Sequence, residues 1–529
     1  MRDLQLPGRS AIHAVNGVAA TSHPLATLAA IDVLRQGGNA VDAAVCACAV
    51  QCVVEPMSTG IGGDCFALLQ KGGEGEVIGL NGSGHAPEGL KADDLLAEGI
   101  DRIDLLSPHS VTVPGAIDAW CRLLEDHGRF GIDRVLQPAI DYAENGFALT
   151  PRVAHDWNRM TDKLSGDANT KRIFLNGGAA PTVGQQYRLP ELAETLKEIA
   201  AKGREGFYDG ANAEDMVTYL QSVGGKHSLD DFAAQQCEYV TPIRTTYRDR
   251  ELLEIPPNGQ GITALIMLNI LSGFDLSDMD PNSIERLHLG IETQRLAYET
   301  RDKYVGDPRQ ADVPIDMLLS SQLADSLRAQ ISMDKARDKN DAGAGPVYRD
   351  TVYLTVVDRD RNCCSFINSL FFGFGSGLTA PKTGVIFQNR GAGFRVEPGH
   401  PNCVAPRKRP LHTIIPGMAL KDGRCDLCYG VMGGGFQPVG HVQVLTNVVD
   451  YGMDIQEALD APRVFHVSDR VEVERGLGDD VLAGLAALGH ETGRPDMPWG
   501  GGQGIQVDWE NGTVAAGSDP RKDGCALAY

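Results

Sequence analysis

Between residues 22 and 54 apolar side chains recur at every third and fourth position. The series runs through Leu25, Ala29, Ile31 and Leu34, then Val41, Ala44, Val45 and Cys48. That spacing predicts helix. Gly37-Gly38-Asn39 interrupts it, and Asn39 can cap the second of the two helical runs. A Gly-rich loop comes next, Glu55-Pro-Met-Ser-Thr-Gly-Ile-Gly-Gly-Asp64, and feeds a predicted strand at Cys65–Leu69, with a second near Val77–Leu80. Residues 88–345 read mostly as helices, among them Leu189–Lys202, Asn212–Val223, Gly261–Leu271, Ser283–Tyr304 and Ile315–Ala329. The stretch 333–346, MDKARDKNDAGAGP, is charged and without apolar period, so it reads as a linker.

Beyond it the period changes. Thr351-Val-Tyr-Leu-Thr-Val-Val-Asp358 is β-branched and apolar, Asp360-Arg-Asn362 reads as a turn, and Cys363–Ser369 returns as the second arm of a hairpin. Further strands are expected at Gly384–Gln388, His412–Leu420, Asp426–Val431, Val471–Val473 and Gln503–Asp508, with helices at Pro438–Val449 and Ile455–Ala461. A sheet-rich last third behind a helical middle predicts an α+β layered fold.

Composition narrows the partners. The chain has 529 residues, with 48 Lys and Arg against 70 Asp and Glu, a formal charge of −22. Nucleic acid and anionic membrane both call for clustered positive charge, so neither is expected as partner. Glycine is in excess, at 62 residues, and falls in short clusters within apolar segments, where backbone must approach backbone or ligand. The N-terminus has no apolar core of a signal peptide. The longest apolar stretch, Ala40–Val54, carries Asp42 and Gln51 and is too short for a bilayer. A cytoplasmic protein is expected. Of the twelve cysteines, Cys425 and Cys428 form a CxxC, but no second pair stands at zinc-site spacing. Reduced thiols and no metal are the expectation. The Gly-rich loop lacks a GK[ST] ending, which argues against phosphate binding.

The junction Arg349-Asp350-Thr351 joins the charged linker to the apolar strand. On its own it is an ordinary strand start. A second reading makes Thr351 an N-terminal nucleophile released by self-cleavage. Ordered segments along the chain favour the second. They include Gly37-Gly38-Asn39-Ala-Val-Asp-Ala-Ala44, Glu55–Asp64, Val113-Pro-Gly115, Gly206-Phe-Tyr-Asp-Gly210, Pro257-Asn-Gly259, Leu296-Ala-Tyr298 and Gly306-Asp-Pro308. They continue through Asp350–Asp358, Phe374-Gly-Ser-Gly377, Arg409-Pro-Leu411, Gly433-Gly-Gly435 and Ser518-Asp-Pro-Arg521. In these the chain resembles the γ-glutamyltranspeptidase family of N-terminal-nucleophile (Ntn) hydrolases.

That resemblance implies a four-layer αββα sandwich and a proenzyme cut between Asp350 and Thr351. The products would be a large chain, 1–350, and a small chain, 351–529, together one globular unit. Chemistry fits the assignment. A Thr hydroxyl needs an adjacent base. The α-amine freed at Thr351 has a pKa of roughly 7.7–8, near working pH, whereas the uncut amide nitrogen is no base. Gly433 and Gly434 match the family's oxyanion glycines; by themselves they are also a tight strand-to-helix turn. Ser369 stands where the family has a Thr whose hydroxyl touches the nucleophile.

The departures concern the substrate. The family's Arg that holds the α-carboxylate is Ser83 here. The Asn two residues past the hydroxyl partner is Phe371. The Gln and Asp that hold the α-amino group are Arg390 and Gly393, and the Ser-Ser pair on the α-carboxylate is His412-Thr413. The loop between Phe394 and Pro410 is short. Trading an Asp for an Arg leaves an α-ammonium without its carboxylate, a costly contact. An acyl group ending in a carboxylate and lacking the amine suits Arg390 better. Glutaryl- or oxamate-like amides fit that description, as the family's amidohydrolases and cephalosporin acylases do. Two other readings stand beside this one: a true γ-glutamyltransferase or glutathione hydrolase with rearranged contacts, and a non-catalytic binding paralogue. His85 and His412 are the pocket candidates among the histidines; His23, His288 and His441 read as structural. The expected partners are a small-molecule amide and the two chains of one precursor, with assembly into larger oligomers open. No cofactor is implied.

Overall fold

The hairpin at Thr351 shows how the layers are made. In the strand Val352–Val357 the side chains of Val352, Leu354 and Val356 enter one core, and Tyr353 and Val357 enter another on the opposite face. Both faces are buried, so the segment is apolar throughout rather than alternating. The computed structural model describes Gln5 and residues 8–338 and 351–529. Asp350 and the 339–346 part of the linker lie outside the described residues.

Two seven-stranded antiparallel sheets carry the fold. The first runs Cys525–Ala528, Val18–Thr21, Val352–Val357, Cys363–Ser369, Asp64–Gln70, Val77–Gly82, Glu238–Val240. The second runs Ile12–Ala14, Thr513–Ser518, Gly501–Asp508, Arg424–Met432, Gly417–Lys421, Arg250–Glu254, Ile243–Tyr247. Their facing sides share one core, with Phe66, Tyr353 and Ile367 from the first and Leu253, Met418 and Ile505 from the second. The first sheet's other face packs on helices Pro24–Arg35 and Ala40–Val54, and the second's on Gly261–Leu271 and Gln437–Val449. The order is helix, sheet, sheet, helix: the αββα sandwich.

Local chemistry sets the ends. All fifteen residues of helix Ala40–Val54 are buried. The Asn39 side chain accepts from the Val41 and Asp42 N–H groups, and Asp42 accepts from Asn39 N–H, a complete capping box. Asp358 at the hairpin turn accepts from Ala40 N–H at 3.0 Å, tying the turn to the same helix.

Some expectations shift. The segment Gly384–Gln388 is not a strand and makes only an isolated bridge, Thr379 to Ile386. The strand expected from His412 begins at Gly417, past Pro416, because the preceding residues bond elsewhere: Ile415 N–H donates to Gln437 Oε1. The helix expected over Ile315–Ala329 is two, Ile315–Leu318 and Ser321–Arg328, the second capped by Ser320. Arg470–Val473 belongs to a separate three-stranded sheet with Val464–Val467 and Thr492–Gly493. The mostly helical middle also supplies the edge strands Glu238–Val240 and Ile243–Tyr247 and, one strand in from the second, Arg250–Glu254. All twelve cysteines are free. Among the described residues no helix is long and apolar enough to cross a membrane.

Candidate active site

Register brings the hydroxyls together. Val352 pairs with Asn368 across the hairpin, so the next step places Thr351 beside Ser369. On its other side Ser369 pairs with Asp64. Thr351 Oγ1 and Ser369 Oγ are 3.1 Å apart and fully buried. Ser369 Oγ also accepts from Phe371 N–H at 2.9 Å. With one lone pair so engaged, the Ser369 proton is available to the Thr351 oxygen. Gly63 runs against this strand end: a Cβ there would lie 2.3 Å from Ser369 O, so only glycine fits.

Gly433 and Gly434 follow strand Arg424–Met432 and enter helix Gln437–Val449 through a short 3₁₀ turn, Gly434–Phe436. Their φ values are +124° and +57°, both unfavourable to a Cβ. Phe436 N–H donates to Gly433 O at 3.0 Å, Gln260 Nε2 to Gly434 O at 2.9 Å, and the Tyr298 hydroxyl to Gly435 O.

The residues expected on the acyl side are bulkier. Arg390 is fully buried, its guanidinium 4.2 Å from the centroid of the Phe371 ring, and Nη1 donates to Thr413 Oγ1 at 2.6 Å. Phe371 sits at φ +82°, an unusual conformation for an aromatic residue, two residues past Ser369. His412 Nε2 donates to Asp64 Oδ2 at 2.9 Å, and Nδ1 accepts from Ile414 N–H at 3.3 Å. Burial, followed by the nearby Arg390 charge, pulls His412 down to about 4 despite the Asp64 carboxylate, so the ring is neutral near pH 7. Both ring nitrogens are engaged, and His412 stands in the wall as a brace. Ser83 Oγ accepts from Asn258 Nδ2 at 3.1 Å and donates to Gly84 O at 3.2 Å. Gly393 leaves room: an added Cβ would stand 3.5 Å from Leu411 O and 4.0 Å from Phe371 Cζ. The 394–410 stretch packs Phe394, Val396 and Val404 against Ala86, Leu90 and Ile103. His85 bonds through Nδ1 to Ala86 O, and burial lowers its pKa.

Asp64 was not singled out by the sequence pattern. Its Oδ1 accepts from Gly84 N–H at 2.9 Å, Gly115 N–H at 3.0 Å and Gln388 Nε2 at 2.8 Å, while Oδ2 takes His412. One fully buried carboxylate thus joins four segments around the site. The available signal was an acid closing a Gly-rich loop directly before a buried strand, where a carboxylate must find donors.

The family model for gamma-glutamyltranspeptidase matches residues 26–529. The chain belongs to the γ-glutamyltranspeptidase family. A glutathione hydrolase-like proenzyme of Bacillus subtilis (strain 168) is 37% identical over 515 residues, covering 96% of this chain and 97% of that one. The oxamate amidohydrolase proenzyme of Klebsiella pneumoniae is 33% identical, covering 97% and 98%. The crystal structure of cephalosporin acylase from Bacillus halodurans superposes with a TM-score of 0.93 at 38% identity, covering 100% of this chain and 99% of that one. The chain is accordingly an Ntn amidohydrolase or acyltransferase of that family, and its proenzyme relatives imply two chains from one precursor.

Among the described residues one group could hold a metal ion, the buried His288, Glu292 and His490. Its atoms already have partners. His288 bonds to His490 Nε2 at 2.7 Å and Ser332 O at 2.8 Å, and Glu292 Oε1 accepts from Arg295 at 2.9 Å. His23 caps helix Pro24–Arg35, and His441 is bonded to buried Glu254 at 2.8 Å.

Proposed function

We propose that the chain is a self-cleaving amidohydrolase that removes an acyl group ending in a carboxylate and lacking an α-amine. The cut falls between Asp350 and Thr351. Thr351 Oγ1 then attacks the substrate amide carbon and the freed α-amine takes its proton; that proton passes to the amine nitrogen as the C–N bond breaks, the amine leaves, and the acyl group stays on Thr351 as an ester. Ser369 holds the nucleophile oxygen. The Gly433 and Gly434 N–H groups receive the oxyanion, and water releases the acyl group from the ester.

The observation that carries the specificity is Arg390. A buried guanidinium lies on the Phe371 ring, and that ring belongs to the residue whose N–H bonds the Ser369 hydroxyl. A positive charge therefore lines the approach to Thr351, and the neutral His412 beside it adds none. An acyl carboxylate reaching Arg390 gains a charge-assisted bond, while an α-ammonium there meets like charge. The oxamate amidohydrolase and cephalosporin acylase relatives support this reading. Ser83, Phe371, His412 and Thr413 shape the wall around Arg390.

The test is a panel of γ-glutamyl, glutaryl and simple acyl anilides together with oxamate. Glutaryl anilide or oxamate should give the highest kcat/KM. A clear preference for the γ-glutamyl anilide would instead make the protein a glutathione hydrolase with rearranged contacts.

A further inference from the structure

We infer that Gln260 is a positioning residue that couples the acyl wall to the oxyanion glycines. The inference rests on the roles proposed above for Thr413, Arg390 and Gly434. Gln260 is fully buried at the N-terminus of helix Gly261–Leu271. Its amide orientation is set by its neighbours. Arg301 Nη1, which can only donate, lies 2.9 Å from Gln260 Oε1. The NH₂ group therefore faces the other way and spends its two hydrogens on Thr413 O at 2.8 Å and Gly434 O at 2.9 Å. The Gln260 backbone N–H donates to His412 O at 2.8 Å. One side chain from the proposed large chain thus holds two carbonyls of the proposed small chain.

Those carbonyls matter for different reasons. Thr413 is the residue whose hydroxyl receives Arg390, so its backbone sets where the guanidinium stands. Gly434 is the second oxyanion glycine. A peptide unit is planar, so fixing its C=O fixes the N–H across the same bond. The plane before Gly434 is fixed by Phe436 N–H on Gly433 O, and the plane after it by Gln260 on Gly434 O. The Gly434 N–H lies in the first plane and Gln260 holds the second, so the two planes are braced against each other across the Gly434 Cα and neither of its dihedrals is free. A glycine at φ +57° has little local preference to hold that shape unaided. The Tyr298 hydroxyl on Gly435 O extends the same support by one residue, and Arg301 lies 4.4 Å from the Tyr298 ring. A substrate carboxylate that draws on Arg390 and Thr413 therefore pulls on the group that braces the peptide plane adjoining the oxyanion N–H.

Gln260→Glu is the decisive variant. It keeps size and shape and keeps an acceptor for Arg301. It removes both donors and sets a carboxylate against two carbonyls. In folded, cleaved enzyme, kcat on a neutral acyl anilide should fall about 10–100-fold, less than the 10²–10³ for an oxyanion donor itself, with KM within about threefold. A purely structural role would lower the melting temperature and leave kcat in place. The kcat advantage of a glutaryl over a neutral acyl anilide should shrink towards one, while any KM advantage persists. Should Gln260→Glu fail to fold or cleave, Tyr298→Phe decides. It removes one hydroxyl donor to Gly435 O and should lower kcat about 3–10-fold at unchanged KM. Wild-type kcat in whichever variant is folded and cleaved overturns the inference. The neutral substrate reads the effect on Gly434 alone, so a wild type with no preference for carboxylate acyl groups defeats the proposed specificity without touching this result.

Discussion

Around Thr351 the groups are small and placed largely by backbone. Hairpin register sets Thr351 beside Ser369, and the turn at Gly433 and Gly434 is closed by the Phe436 N–H on Gly433 O, with the Gln260 and Tyr298 side chains holding the next two carbonyls. Around Arg390 the groups are large, charged or aromatic, and placed mostly by side chains: Arg390 on Phe371 and Thr413, His412 on Asp64, Asp64 on Gln388 and on the Gly84 and Gly115 N–H groups. Backbone placement tolerates little change in residue type. Side-chain placement can be rewired while the sheets stay put. On the assignment proposed above, the family's catalytic residues keep their positions in this chain, and its α-amine and α-carboxylate contacts do not.

The sharpest way to break the comparison is at the nucleophile. Thr351→Ala should leave one uncut 529-residue chain with no amidase activity, where wild type gives bands for 350 and 529 − 350 = 179 residues. Thr351→Ser keeps a hydroxyl and should cut more slowly. A denaturing gel and an anilide assay read both. Cutting at this bond by purified Thr351→Ala would sink self-cleavage.

Gly434→Ala comes next. At φ +57° a Cβ costs about 1–2 kcal/mol, and the displaced N–H should lower kcat about 10²–10³-fold, with KM changing less. Normal turnover in a folded, cleaved Gly434→Ala enzyme would remove the glycines from the mechanism.

At the acyl wall the effect should be smaller and selective. Arg390→Gln loses a charged hydrogen bond worth roughly 1.5–3 kcal/mol, or about 10–150-fold in kcat/KM. That loss should fall on the glutaryl anilide and spare a neutral acyl anilide. Equal losses on both substrates would mean that Arg390 supports the fold and does not read the acyl group.

The same contrast explains what the sequence made legible. The strands at Thr351–Asp358 and Cys363–Ser369 were readable because β-branched, apolar runs buried on both faces have few other solutions. The Asn39 cap was readable because its box is local. Gly384–Gln388 is just as apolar but stays a loop, because its N–H groups bond outside any strand: Gln388 N–H donates to Gly62 O at 3.0 Å. The ordered segments point to Thr351, Ser369 and the glycines. The side-chain partners of Asp64 and Gln260 could not be read, since they lie 20, 51, 324 and 348 residues away for Asp64 and 41, 153 and 174 for Gln260. The bracing role of His412 was hidden for the same reason.

The smallest effect separates the two regions by pH. The wall should not titrate near neutrality, because His412 is held at about 4 and Arg390 stays charged. The rising limb of kcat/KM then belongs to the Thr351 α-amine, at roughly 7.7–8. One buried acid could imitate it. Burial holds Glu55 up at about 7, against bonds from Ser22 Oγ at 2.7 Å and Gln51 Nε2 at 3.1 Å and the Lys522 charge, which pull it down. Its folded pKa exceeds the ordinary value of about 4.5, so between those two pH values the folded state binds more protons than the unfolded. Glu55 therefore costs stability as pH rises from about 4.5 to about 7, and the cost levels off above that. Glu55→Gln should flatten the fall in melting temperature over this window and leave the kcat/KM limb where it was. A limb that moves or disappears in Glu55→Gln would transfer the base assignment away from the α-amine.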